Sequence, residues 1–87
     1  MKKSLRHRVV LTRRALKDFE SIEKDARKRI AAKLREYTEE PLKYAQKLIN
    51  QKIGSYRFRI GDYRVIFDID AENIVILRIG HRKSIYK

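Results

Sequence analysis

Residues 56–64 read Y-R-F-R-I-G-D-Y-R, and they restrict the possible folds of this chain more than any other stretch. Tyr56, Phe58 and Ile60 alternate with Arg57 and Arg59, the period of a half-buried strand. Gly61-Asp62 then supplies a two-residue turn, and Gly at its first central position suits type II′. A second strand follows through Tyr63, Arg64, Val65, Ile66 and Phe67. This hairpin sets Ile60 opposite Tyr63 and Arg59 opposite Arg64. Arg57, Arg59 and Arg64 then share one face. Like charges opposed across strands are destabilising, by a few tenths of a kcal/mol to ~1 kcal/mol. A fold that keeps such a cluster is expected to use it to hold an anion.

At 87 residues the chain reads as one small domain, residues 1–87, with a modest core. It has no Cys, so no disulfide framework or thiolate metal site is available. Its two His residues stand far apart in sequence, which argues against a zinc cage, and neither a metal nor a cofactor is expected. No apolar run approaches the ~18 residues that span a membrane. The basic start M-K-K-S-L-R-H-R lacks the apolar stretch of a signal peptide, so the expected compartment is the cytoplasm.

The formal net charge is +12, and its placement is informative. In residues 1–40 bases alternate with acids, as on solvated helix faces with pairs such as Glu20/Lys24 and Arg35/Glu39. Residues 41–61 contain no acid, and none follows Glu72, whereas Arg78, His81, Arg82, Lys83 and Lys87 do. A segregated positive field attracts polyanions, chiefly nucleic acid, or an acidic protein partner.

Arg8, Val9, Val10 and Leu11 form a short β-type run, and Thr12 is placed to cap a helix. Ala15, Leu16, Phe19, Ile22 and Glu23 have amphipathic helical spacing. A second helix starts at Asp25, with Ile30, Leu34 and Tyr37 on one stripe, and joins the first around Lys24-Asp25 with almost no loop. Pro41 fits a chain leaving that helix. Residues 42–53 are a connector with a short strand or turn near 48–51. Strands are expected over 56–60, 63–69 and 73–80. The order is β-α-α-β-β-β, an α+β fold with two N-terminal helices on one face of a twisted antiparallel sheet. Tyr56, Phe58, Ile60, Val65, Phe67 and Ile69 suit the covered face; Arg57, Arg59, Arg64, Ile66 and Asp68 suit the other. The last strand is apolar at both parities. A three-residue loop at 70–72 would put Val75, Leu77 and Ile79 in the core and Arg78, Gly80 and Arg82 on the arginine face, with Gly80 allowing close approach.

The segments S-Y-R-F-R-I-G-D-Y-R-V-I-F (residues 55–67) and G-H-R-K-S-I-Y (residues 80–86), with R-x-x-L-K-D-F beginning at Arg13, resemble the RelE/ParE toxin superfamily. The resemblance covers nearly the whole chain, and the two C-terminal motifs together are fairly specific. It implies the toxin of a type II toxin–antitoxin pair. RelE-like members are mRNA interferases, which cleave messenger RNA in the ribosomal A site by in-line attack of a ribose 2′-hydroxyl on the adjacent phosphate. The implied partners are a small acidic RelB-like antitoxin and A-site mRNA, with DNA reached only through the antitoxin complex.

The family's functional basic positions match Arg57, Arg59, Arg64 and Arg82, and its functional tyrosine matches Tyr86. An upstream arginine of some members has Ile49 in its place. Arg64 and Arg82 suit electrostatic stabilisation of a phosphorane, since guanidinium forks grip phosphate oxygens bidentately. Tyr86 suits stacking on a splayed base and donation through its hydroxyl. Nucleolytic members carry lysines where this chain has Arg57 and Arg59, and arginine is no ordinary base. His81 is the remaining base candidate, although strand alternation turns it away from Arg82. His7 reads as a surface residue. Three readings stay open: a ribosome-dependent endoribonuclease, a ParE-like inhibitor of DNA gyrase, and a degenerate toxin that binds only antitoxin and operator DNA.

Overall fold

A computed structural model describes residues 7–49 and 52–86. The start at residues 1–6, and Asn50 and Gln51 of the expected turn, lie outside the described residues. The element order is β1 (Arg8–Leu11), α1 (Arg13–Glu20), α2 (Lys24–Tyr37), α3 (Pro41–Tyr44), β2 (Gln46–Lys47), β3 (Tyr56–Ile60), β4 (Tyr63–Asp70) and β5 (Asn73–His81). The strands form one five-stranded sheet in the order β1-β5-β4-β3-β2. The pairs β2/β3, β3/β4 and β4/β5 are antiparallel, as expected, while β1 runs parallel to β5. The long return through both helices makes that parallel pairing possible.

Thr12 caps α1, its hydroxyl accepting from Ala15 N–H at 3.1 Å. Helix α1 is shorter than its apolar spacing implies. The break falls at residues 21–23, because the Glu23 carboxylate accepts from the N–H groups of Asp25 and Ala26 and so caps α2. That break separates Glu20 from Lys24, and α2 ends before Glu39. The ion pairs on these segments are instead Arg14–Asp18 at 3.7 Å and Lys33–Glu36 at 3.4 Å. The connector carries a helix the pattern did not predict, and its short strand lies at Gln46–Lys47, just before the expected 48–51. Helix α3 begins on Pro41, a residue tolerated in a first turn. Strand β2 pairs Gln46 with Arg57 and Lys47 with Tyr56.

The core is Ala15, Ile30, Phe58, Ile60, Val65, Phe67, Ile74, Ile76 and Ile79, with Phe19, Leu34 and Tyr37 packed against it. Phe58 and Phe67 lie at its centre, ring centroids 4.4 Å apart. The hairpin register is as the alternation predicts, with Ile60 opposite Tyr63 and Arg59 opposite Arg64. Gly61 has φ 60°, and among described non-glycine residues Ala71 is the one with positive φ, which leaves the Gly61-Asp62 turn as type II′.

Strand β5 departs from the sequence reading. Asp70 pairs with Asn73, so the loop is two residues and Ile74 and Ile76 enter the core, rather than Val75 and Leu77. Ile66 then pairs with Arg78 while Phe67 pairs with Ile76, leaving Leu77 as the extra residue of a bulge. The bulge shifts the parity, and Ile79 is buried as expected. Arg78 is drawn to the edge of β5 beyond the end of β1. There Asp18 of α1 accepts from Arg78 Nε at 2.8 Å and from Ile79 N–H at 3.0 Å. Helix α1 thereby satisfies an edge that β1 leaves uncovered. His7 is half-buried rather than exposed, with Nδ1 out of solvent.

Candidate functional site

The face of the sheet away from the helices is partly roofed by the chain itself. At one end the segment before β3 crosses it. A Cβ on Gly54 would stand 2.5 Å from Ile66 Cγ2 and 3.1 Å from Leu77 Cδ1, so only glycine fits there. Asp68 holds this segment by accepting from Ser55 N–H at 2.8 Å. Ile66 is consequently fully buried on what the alternation marks as the arginine face. At the other end the chain turns back after β5. Arg82 N–H donates to the Asp62 carbonyl at 2.7 Å, and Ile85 N–H to the His81 carbonyl at 2.9 Å. Ile85 is buried over Gly80, where a Cβ would meet its Cδ1 at 3.0 Å. The close approach expected at Gly80 is therefore taken by Ile85.

Between these two covers lie Arg57, Arg59, Arg64, Arg82 and Tyr86. Arg57 donates through Nε to Gln46 Oε1 at 2.9 Å and through Nη1 to the Tyr86 hydroxyl at 2.7 Å. Arg59 is exposed and directly opposite Arg64 in register. Arg64 is only 6 % exposed. Its Nη1 donates to the carbonyls of Gly61 and Tyr63, at 3.0 and 2.9 Å, so the guanidinium folds back under the turn. Burial pulls its pKa below the usual guanidinium value. Arg59, Arg57 and Arg82 add to that depression, and Tyr86 partly offsets it. These four groups are thus near enough to act on Arg64 electrostatically. Arg82 Nε lies 3.4 Å from the Asp62 carboxylate, a pair exposed on both sides.

Arg78, expected on this face, stands apart, and His81 is turned away from Arg82 as the alternation indicates. Arg78 belongs to the Asp18 network at the sheet edge. His81 pairs with Tyr63 in register, and their rings meet edge to face with centroids 5.6 Å apart. Tyr63 belongs to the helix side of the sheet, so the imidazole faces away from the arginines. His81 Nδ1 accepts from Lys83 N–H at 3.1 Å. Gln46 is a member that sequence reasoning missed. Only its cross-strand pairing with Arg57 reveals it, and a two-residue strand has no periodicity to detect. Among the described residues, no three His, Asp or Glu side chains come together as a metal site.

The cluster can hold a polyanionic group. Four guanidinium groups share this region, Arg64 buried and Arg59 and Arg82 exposed, and a phenol hydroxyl lies beside Arg57. The sequence pattern of the family described as ParE toxin of type II toxin-antitoxin system, parDE, matches residues 9–86. The chain belongs to the RelE/ParE family of type II toxins. The toxin is 31% identical over 83 residues to Toxin RelE3 of Methanocaldococcus jannaschii, covering 91% of this chain and 94% of that protein. It is 40% identical over 50 residues to Toxin RelG of Mycobacterium tuberculosis, a match spanning 55% of this chain and 58% of that one. Among solved structures, the toxin–antitoxin complex RelBE2 from Mycobacterium tuberculosis contains a chain that superposes with a TM-score of 0.75 at 26% identity, covering 87% of the toxin and 98% of that chain. No helix among the described residues is long and apolar enough to cross a membrane.

Proposed function

We propose that this toxin is a ribosome-dependent mRNA endoribonuclease of one domain, acting in the cytoplasm and held inactive by a small acidic antitoxin. The observation that carries the reading is the gathering of Arg57, Arg59, Arg64, Arg82 and Tyr86 between the two covers of the sheet. The cluster suits a phosphate that gains negative charge as it becomes five-coordinate. The nucleophile is the substrate's own 2′-hydroxyl, and the products are a 2′,3′-cyclic phosphate and a 5′-hydroxyl. Arg82 and Arg59, both exposed, are the groups that grip the phosphate oxygens. Arg64 adds charge from beneath, and Tyr86 offers a ring and a hydroxyl. With arginines in place of a basic lysine and His81 turned away, the toxin has little proton-transfer equipment. The ribosome then orients the 2′-hydroxyl in line, and positioning supplies much of the rate. The RelE3 and RelG names of two relatives favour this reading. The RelBE2 complex of a similar chain supports the antitoxin partner.

The same shortage of a base favours a second reading, inhibition of DNA gyrase without cleavage, in keeping with the ParE name of the family. One experiment separates the two. The toxin is added to translating ribosomes stalled with a defined codon in the A site, and in parallel to a gyrase supercoiling reaction. Cutting on the ribosome that falls on the order of 100-fold in Arg82→Ala is expected, the usual loss on removing one charge-stabilising donor. Gyrase inhibition with uncut mRNA would replace the nuclease by the second reading.

A further inference from the structure

Arg57 is fixed at two corners by partners from distant parts of the chain. Gln46 stands opposite it on β2 and accepts from Nε at 2.9 Å. Tyr86 accepts from Nη1 at 2.7 Å, its ring centroid 5.8 Å from the guanidinium carbon. A guanidinium has donors and no acceptor, so in this contact the phenol oxygen must accept. The phenol's own proton is thereby left for another acceptor. Tyr86 is 44% exposed, while Ile85 beside it is buried at 3% and seats the segment over Gly80. Tyr86 is therefore held at backbone and hydroxyl alike. An arginine side chain carries much rotamer entropy, and a fixed partner at Nε removes part of that freedom in advance.

We infer that Gln46 is a positioning residue: by holding Arg57 Nε it sets the Tyr86 hydroxyl as a hydrogen-bond donor to a phosphate or leaving oxygen bound at the arginine face. Its consequence for cleavage rests on the nuclease reading above; the positioning itself does not. Gln46 is suited to the task because it accepts without carrying charge. A carboxylate there would hold Arg57 equally well and cancel part of the field that attracts the anion.

The test uses the full-length chain with ¹⁵N-labelled arginine, and Gln46→Met, which keeps the length of the side chain and removes its acceptor. The Arg57 Nε–H resonance is identified by its loss in Arg57→Lys, and the Tyr86 ring resonances by their loss in Tyr86→Phe. In Gln46→Met, solvent exchange of Arg57 Nε–H is expected to quicken and the Tyr86 ring resonances to shift. Gln46→Glu restores both. Unchanged resonances in Gln46→Met would overturn the inference. On saturated ribosomes, Gln46→Met is expected to slow single-turnover cleavage about tenfold, the size of one lost hydrogen bond. In a Tyr86→Phe background the same substitution should cost little more, because the hydroxyl it positions is gone. Full additivity would show that Gln46 acts by another route. Absence of cleavage by the wild type would remove the nuclease reading alone and leave the resonances to decide the positioning.

Discussion

Arg59 and Arg64 face each other across the hairpin, and their separate fates follow from burial. Arg59 keeps its charge in water. Arg64 pushes its guanidinium under the turn and gives up solvation for two carbonyl contacts. Because burial and its neighbours lower its folded pKa, the charged form weakens the fold at neutral pH. That penalty is relieved only as pH rises through the lowered value, above the neutral range, so Arg64 gives stability no slope around neutrality. Removing the opposing charge should relieve part of the strain. Arg59→Gln is expected to raise the unfolding free energy by a few tenths of a kcal/mol to ~1 kcal/mol. Denaturant midpoints of both proteins measure it, and a less stable Arg59→Gln would mean that the pair is not repulsive. Ala71 is strained for a different reason, since its φ of 55° suits glycine. Ala71→Gly is expected to stabilise the fold by roughly 0.5–1 kcal/mol, the left-handed penalty less the added chain entropy. Thermal unfolding of the variant would contradict this if the midpoint fell.

At the scale of elements, the join between α1 and β5 is where the helices meet a sheet edge. Asp18 serves the helix through Arg14 and the strand through Arg78 and Ile79 N–H, with its own side chain 15% exposed. Asp18→Ala leaves a strand amide and a half-buried guanidinium without an acceptor. The expected cost is about 2 kcal/mol, read from chemical denaturation, because hydrogen bonds to charged groups exceed neutral ones. An effect near zero would mean that water replaces the carboxylate. The β5 bulge belongs to this scale as well. Alternation cannot signal a strand that changes parity at Leu77, and I-V-I-L at residues 74–77 is apolar on both sides. The hairpin of β3 and β4 was legible for the opposite reason. Polar and apolar positions alternate throughout β3, Gly61 marks the turn, and in β4 Ile66 is the residue that interrupts the alternation.

Over the whole molecule, a formal charge of +12 is carried on 87 residues. An antitoxin that covers the arginine face would have to present carboxylates, and its association should be steered by the toxin's field. The association rate with a co-expressed acidic antitoxin is expected to fall by at least about tenfold between low and physiological salt. Stopped-flow mixing measures it, and a salt-independent rate would place apolar contact ahead of charge.

The succession of β1, the α1–α2 pair, β3, β4 and β5, the hairpin with its arginine face and the helix cap at Thr12 were legible in local signals. Periodicity, turn chemistry and capping act within a few residues of one another. Tertiary structure alone decided the rest. The parallel return of β1 depends on how the helix pair packs. The burial of Ile66 depends on a crossing by Gly54, more than ten residues away. The two ends of the Arg57 clamp, Gln46 and Tyr86, are 40 positions apart in the chain. Contacts of that kind arise from the closing of the sheet and the return of the chain over it. No spacing in the sequence encodes them, because the residues that meet have no common element to set their distance.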